Sequence, residues 1–173
     1  MKLRRLLTAL LLLAATALGH AADETPPRTF THRISGLFQP DRVDDLREAL
    51  KNHPKVKLLS IDFARAEATF SYDPKAFSTE SLGELLGKKA FGIKPPSTTP
   101  ADQLTLIEIP VIGLDCKGCS FGAYNVISKI DGVEQATASL KEGRVTALID
   151  PTKTSRAALA EELKKAGLAV KAP

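Results

Sequence analysis

The sequence has 173 residues and a formal net charge of +4, from 24 Lys and Arg against 20 Asp and Glu. Three of the basic residues, Lys2, Arg4 and Arg5, precede the first acidic residue, so the rest of the chain is nearly neutral and has no long basic stretch. This distribution excludes binding to nucleic acid that is driven by electrostatics. The length is sufficient for one medium or two small domains.

Residues 1–22 have the pattern of a secretory signal peptide. The basic residues are followed by an apolar run from Leu6 to Leu18 and then by small residues that end at Ala21 and Ala22. The apolar run is shorter than the roughly 20 residues that a membrane-spanning helix needs. We therefore expect this segment to be removed on export, which leaves a periplasmic or secreted chain without a membrane span.

The remainder of the chain is an internal repeat. A shift of 77 positions aligns its two halves without a gap and places Gly36-Leu37 on Gly113-Leu114 and Asp73-Pro74 on Asp150-Pro151. Identity between the halves is low, but apolar character is shared along the whole register. The repeat predicts two domains of the same fold.

The first copy, residues 29–95, has helical and strand patterns in the order β-α-β-β-α-β. Its first helix is expected to bury Leu46, Ala49 and Leu50. Two strands with alternating apolar residues follow and are predicted to form a hairpin. The residues expected to face inward from this hairpin are Leu59, Ile61 and Phe63 on one strand and Ala68, Phe70 and Tyr72 on the other.

The second copy, residues 104–172, repeats this order after a Pro-rich linker at residues 96–103. Its first strand, residues 104–112, precedes a helix whose apolar residues recur at i, i+3, i+4 and i+7. An alternating hairpin, a second helix capped by Thr154 or Ser155, and a short strand complete the pattern. The residues expected to face inward are Ala123, Val126, Ile127, Ile130, Ala136, Ala138, Leu140, Val145, Ala147, Ile149, Leu159, Leu163 and Ala166.

These patterns predict an α+β protein made of two tandem ferredoxin-like βαββαβ domains. In this plan an antiparallel four-stranded sheet carries two helices on one face. Each copy has about 65–70 residues, a size at which a domain folds alone only marginally.

The two cysteines of the chain, Cys116 and Cys119, lie in the turn between the first strand and the first helix of the second copy. A helix N-terminus favours the thiolate, and soft cations such as Cu(I) and Hg(II) prefer thiolate ligands. The pair is therefore a candidate metal site, with Cu(I) placed first and Hg(II) second. Zn(II) fits less well, because structural zinc needs four ligands.

The loop Gly113-Leu114-Asp115-Cys116-Lys117-Gly118-Cys119 resembles the heavy-metal-associated domain family, whose loop reads Gly-Met-Thr-Cys-x-x-Cys. The resemblance covers the whole second copy and includes periplasmic mercury- and copper-binding members of the family. It implies a ferredoxin-like fold, a soft metal ion held by Cys116 and Cys119, and no enzymatic activity. Leu114 can replace the family's buried Met, whereas the carboxylate of Asp115, in place of Thr, disfavours the neighbouring thiolates.

The first copy is interpreted as a degenerate domain of the same type, because Gln39 and Arg42 occupy the positions of the two cysteines. It is expected to be a spacer or a docking surface for a partner. A membrane metal transporter or another metal-binding protein is the partner that the resemblance implies.

Two other functions are compatible with the cysteine pair. An exported Cys-x-x-Cys can close into a structural disulfide, or it can serve in thiol–disulfide exchange. The exchange function has less support, because no Trp precedes Cys116 and no Pro separates it from Cys119. His32 and His53 are expected to be ordinary surface or half-buried histidines, and Tyr124 a packing residue rather than a ligand.

Overall fold

The computed structural model describes residues 26–171 and contains two four-stranded antiparallel sheets, each of which shares a core with two helices. The predicted tandem ferredoxin-like fold is confirmed. Residues 1–22, the predicted signal peptide, lie outside the described residues. Within the described part, none of the helices has the length and apolar character that crossing a membrane requires.

The first domain follows the order β-α-β-β-α-β. Its elements are β1 (Arg28–Ser35), α1 (Arg42–Leu50), β2 (Val56–Asp62), β3 (Glu67–Tyr72), α2 (Thr79–Gly87) and β4 (Gly92–Lys94). The strands lie in the order β2-β3-β1-β4, which places β2 at an edge of the sheet. Alternation along β3 buries Ala68, Phe70 and Tyr72 in one core with Leu46 and Leu50 of α1, as predicted.

The second domain repeats this arrangement after a short 3₁₀ turn at Ala101–Gln103. Its elements are β5 (Thr105–Ile112), α3 (Lys117–Ile127), β6 (Val133–Ser139), β7 (Arg144–Ile149), α4 (Arg156–Lys165) and β8 (Ala169–Val170). The strand order is β6-β7-β5-β8, so that β6 is at an edge. Ser155 caps α4 by accepting a hydrogen bond from the backbone N–H of Ala158 at 3.3 Å.

Three residues that were predicted to face inward are exposed instead. The register of β2 against β3 shifts between Leu58 and Ser60, and this bulge leaves the Leu59 side chain 54% exposed. Leu140 lies in the turn that follows β6, and Ala166 is the C-cap of α4. The predictions for these three residues were wrong, because strict periodicity was extended through a bulge and past the ends of two elements.

The first domain packs directly against the second through the segment between β1 and α1, residues 36–41, which we call the docking loop. Phe38 of this loop is buried in the core of the second domain, and its ring centroid lies 5.4 Å from those of Phe121 and Tyr124. The backbone N–H of Ala138 donates to the carbonyl of Phe38 at 3.1 Å. The two domains are therefore in direct contact, in addition to being connected by the Pro-rich segment.

Polar contacts fix the orientation of the two domains. The Arg33 guanidinium pairs with the Glu134 carboxylate at 2.7 Å, and the two side chains are only 13% and 10% exposed. The side-chain amide of Gln135 donates to the carbonyls of Leu37 and Phe63, each at 3.0 Å. Such directional contacts between buried groups are satisfied only in one arrangement, since a shift would leave buried charges and carbonyls without partners.

The Pro-rich segment, residues 96–103, and Lys94 just before it are attached to the second domain by hydrogen bonds. The ammonium of Lys94 donates to the carbonyl of Ser128 at 3.0 Å, and the hydroxyl of Thr99 donates to the Asp150 carboxylate at 3.1 Å. Hydrogen bonds to Asp150 from Thr152 above all, with that from Thr99, hold the pKa of this carboxyl below its ordinary value. The segment is therefore anchored and does not act as a free tether.

Candidate metal centre

The cysteine loop lies where β5 ends and α3 begins. Gly113 has a φ of +88°, a left-handed conformation in which a side chain is strained, and it turns the chain out of β5. Cys116 is the N-cap of α3, and its sulfur accepts a hydrogen bond from the backbone N–H of Cys119 at 3.0 Å. The start of the helix thus donates to the sulfur of Cys116, as expected for a site that favours thiolates.

Cys116 and Cys119 are joined in a disulfide, with their Cα atoms 5.1 Å apart. Cys116 is exposed and Cys119 is half-buried, so the bond is accessible from solvent. Adding two electrons and two protons converts this bond into two thiols at the same helix start. A soft metal ion needs the thiolate form, and binding in this loop therefore requires prior reduction.

Asp115 adds a third potential ligand that the sequence reasoning treated only as a charge. One carboxylate oxygen of Asp115 lies 3.4 Å from the sulfur of Cys119. The ligand atoms of Asp115, Cys116 and Cys119 all lie within 4.8 Å of one another, and no other such group of three is found in residues 26–171. Two sulfur atoms and one carboxylate oxygen can surround a single ion from one side.

Leu114 supports the loop from below, as its position predicted. Its side chain is buried in the core of the second domain, in the same cluster as Phe38 and Tyr124. Tyr124 is also buried, which confirms the prediction that it packs, and its hydroxyl accepts a hydrogen bond from the backbone N–H of Gly36 at 2.6 Å. Leu114 of the cysteine loop and Phe38 of the docking loop therefore lie in the same core.

In the first domain, the residues at the two cysteine positions make structural contacts. Gln39 donates from its amide to the carbonyl of Ala138 in the second domain at 3.1 Å. Arg42 donates to the carbonyls of Gly36 and Lys89, and its guanidinium lies 4.1 Å from the centre of the Phe91 ring. These interactions close the loop and attach it to the second domain.

Sequence reasoning missed Phe38, Arg33 and Gln135 as residues that join the first domain to the domain that carries the cysteine loop. The sequence feature that could have indicated the domain contact is Phe38. This aromatic residue corresponds to Asp115 in the 77-residue register and lies in a segment expected to be an exposed turn. An aromatic residue in such a turn needs an apolar neighbour. That neighbour is the second domain.

The two histidines singled out in the first domain are not gathered into a metal site. The side chain of His32 lies 3.3 Å from the Tyr72 hydroxyl and packs beside Phe30 and Phe70, whereas His53 follows α1 and is half-buried. Neither belongs to a cluster of potential ligands within residues 26–171. Both histidines are half-buried, which agrees with the expectation of surface or half-buried histidines.

Burial of His32 makes the stability of the fold depend on pH. Desolvation lowers the pKa of His32 below its ordinary value of 6.5, so the unfolded chain binds a proton more readily. We expect the free energy of unfolding to be largest above about pH 6.5 and to decrease as the pH falls below this value. Urea unfolding of wild type and His32→Gln between pH 5 and 8 checks this, since the variant should show a shallower pH dependence; equal slopes contradict the assignment.

Comparison with known proteins places the second domain in a family. Residues 108–168 match the family "Heavy-metal-associated domain". The copper-exporting P-type ATPase of Staphylococcus saprophyticus is 30% identical over 108 residues, which are 62% of this chain. Human copper-transporting ATPase 2 is 24% identical over an alignment of 174 positions that covers 86% of this chain.

The chain spans only 12% of the length of each of these two relatives. Among solved structures, oxidized MerP from Ralstonia metallidurans CH34 is 24% identical, with a TM-score of 0.38, and covers 39% of this chain and 94% of its own. The family match includes the cysteine loop, α3 and both strands of the second hairpin. Residues 108–168 therefore form a heavy-metal-associated domain.

Proposed function

We propose that this protein binds one soft metal ion through Cys116 and Cys119 and passes it to a partner, without enzymatic activity. The observation that carries this proposal is the position of both sulfur atoms at the start of α3, in a heavy-metal-associated domain. Cu(I) is the ion we place first, because thiolates prefer soft cations and both curated relatives are named as copper transporters. Hg(II) is the second candidate, and Zn(II) the third.

The exposure of the loop suits transfer rather than storage. Asp115, Cys116, Lys117 and Gly118 are all exposed, so an incoming thiolate can reach an ion bound by the two sulfurs. A storage site would enclose the ion with more ligands, as structural metal sites do. The partner we propose is a metal transporter in a membrane or another metal-binding protein that presents its own thiolates.

An anaerobic titration tests this proposal. The reduced protein is titrated with Cu(I) against a coloured chelator, and we expect one equivalent of metal to be retained by each wild-type chain. The Cys116→Ser/Cys119→Ser variant should lose at least 100-fold in affinity, since alcohols are poor ligands for Cu(I).

Lys117→Ala serves as the matched control, because Lys117 lies between the two cysteines and its side chain is 82% exposed. This variant keeps both thiols and should bind Cu(I) within about threefold of wild type, since the charge of an exposed side chain is screened by solvent. Equal metal retention by wild type and by the double serine variant would show that the metal is bound elsewhere.

The disulfide supports a second candidate, thiol–disulfide exchange or a purely structural bond. The reduction potential of the pair separates these functions from metal binding. A value near those of oxidant catalysts, about −120 to −180 mV, favours exchange, and a value below about −300 mV favours a structural bond. We expect an intermediate value, since the metal site must be reducible and must stay reduced long enough to bind.

We also propose that the protein acts outside the cytoplasm. The support is the composition of residues 1–22, which combine a basic start, a short apolar run and small residues. In an oxidising compartment the pair closes into the disulfide unless a reductant or a bound metal prevents it. Fractionation of cells that express the chain, followed by mass measurement of the N-terminus, tests this; a cytoplasmic chain that retains residues 1–22 contradicts it.

A further inference from the structure

The interface between the two domains uses one surface from each domain, and the repeat supplies both surfaces a second time. Within the chain, the docking loop of the first domain contacts α3 and β6 of the second. The shift of 77 positions maps the docking loop onto residues 113–118, the cysteine loop. It also maps the α3–β6 surface onto the α1–β2 surface of the first domain.

These two equivalent surfaces differ in exposure. On β6, Ala136 and Ala138 are only 1% and 0% exposed, because their side chains belong to the core of the second domain, and the docking loop bonds to the backbone of Ala138. By strand pairing, their counterparts on β2 are Leu58, which pairs with Phe70 as Ala136 pairs with Ala147, and Ile61, and both are half-buried. Leu59, the bulge residue between them, is 54% exposed. The larger apolar side chains therefore lie on the surface that is uncovered in the described chain.

The α1–β2 surface contains a groove of about 310 Å³, which we call the open groove. It is lined by Arg47, Leu50, Lys51, Val56, Leu58, Leu59, Ser60 and Ile61. Five of these eight residues are apolar, and Arg47 and Lys51 are basic. Among them, Arg47 occupies the register position of Tyr124, which the docking loop contacts inside the chain.

The open groove also offers backbone groups for hydrogen bonding. Ala138 on the edge strand β6 donates to Phe38 and accepts from Gln39 of the docking loop. Ile61 on the edge strand β2 has the same register, since it pairs with Ala68 as Ala138 pairs with Val145. Its N–H and C=O therefore point away from the sheet in the same way, as at any strand edge that can accept another chain segment.

We infer that the open groove binds the cysteine loop of a second copy of this chain, so that copies associate head to tail. The repeat already shows this pairing of surfaces once, between the two domains. In the 77-residue register, Asp115 of the incoming loop corresponds to Phe38, and Arg47 of the groove corresponds to Tyr124. The contact between copies therefore brings the Asp115 carboxylate to the Arg47 guanidinium, where the Phe38 and Tyr124 rings are in contact inside the chain. Arg47 now pairs with Asp44 at 2.8 Å on an exposed helix face and remains accessible.

The association between copies should be weaker than the interface inside the chain. Arg33 corresponds to Pro110 in the second domain, so the buried ion pair that Arg33 forms with Glu134 inside the chain has no counterpart between copies. Because the two surfaces lie on different domains, the contact is heterologous and does not close on itself in a dimer. In a row of associated copies, each contact would cover the cysteine loop of one copy, and the cysteine loop at the end of the row would stay exposed.

Sedimentation equilibrium tests this inference on the disulfide form of residues 23–173, without metal, from about 10 µM to about 1 mM. We expect the average mass to rise with concentration. Arg47→Glu and Leu59→Asp should each lower the association constant at least tenfold, and adding Asp115→Lys to Arg47→Glu should restore it. Both substituted groove residues are exposed, so the variants should keep the wild-type melting temperature and circular dichroism.

A protein that stays monomeric over the whole range overturns the inference. Association that persists undiminished in Arg47→Glu and Leu59→Asp also overturns it, because another surface would then be responsible. The measurement does not depend on metal binding, so its failure leaves the proposed metal site untouched, and a failed metal titration leaves the association untouched.

Discussion

Replacing Phe38 by alanine should destabilise the second domain although Phe38 belongs to the first. Its ring is buried in the core of the second domain, where it contacts the rings of Phe121 and Tyr124. Removing a buried Phe side chain costs about 3–5 kcal/mol, from lost burial and from the cavity that remains. Urea unfolding monitored by circular dichroism measures this loss. We expect a single transition for both domains, with its midpoint at a lower urea concentration than in wild type.

Phe121→Ala provides the matched control. Phe121 contacts the same ring of Phe38 but is 37% exposed, so its removal leaves a smaller cavity and should cost only about 1–2 kcal/mol. If Phe38→Ala costs less than Phe121→Ala, the docking loop is not part of the core of the second domain.

Replacing Glu134 by alanine should have an effect of similar size for an electrostatic reason. The Arg33 guanidinium is nearly buried and pairs with the Glu134 carboxylate at 2.7 Å. Removing one partner of a buried ion pair leaves an uncompensated charge and costs about 3–5 kcal/mol. The loss is measured as the change in unfolding free energy, and limited proteolysis of the Pro-rich segment should accelerate as the domains separate.

The double variant Arg33→Met/Glu134→Leu separates the cost of the unpaired charge from the value of the pair. Replacing a whole buried ion pair by apolar side chains is often neutral or stabilising, so the double variant should be more stable than Glu134→Ala alone. If the double variant is the less stable of the two, the destabilisation is not caused by the unpaired guanidinium, and the pair itself holds the domains together.

The fold of each domain could be predicted from the sequence because its signals are local. Alternation in β3 and β7 and the spacing of Leu46, Ala49 and Leu50 in α1 are read directly from the chain, and the structure agrees with them. The exposure of Leu59 could not be predicted. It depends on a bulge, and a one-residue shift in pairing turns a side chain to the other face of the sheet.

The site was predictable only in part. The position of Cys116 and Cys119 at the start of a helix follows from the sequence, because strand, turn and helix are consecutive. The contact of Phe38 with Tyr124 joins residues 86 positions apart, and no local pattern signals which surfaces of two folded domains meet. For the same reason, the sequence did not show that the loop with Gln39 and Arg42 had become an interdomain contact.

The central claim is that the reduced sulfurs of Cys116 and Cys119 hold the metal ion. The most direct measurement compares the reduced and the disulfide forms of the same wild-type chain, each mixed anaerobically with a twofold excess of Cu(I) and then passed over a desalting column. The account predicts about one copper per reduced chain and none per oxidised chain. Equal copper content in the two forms would contradict it.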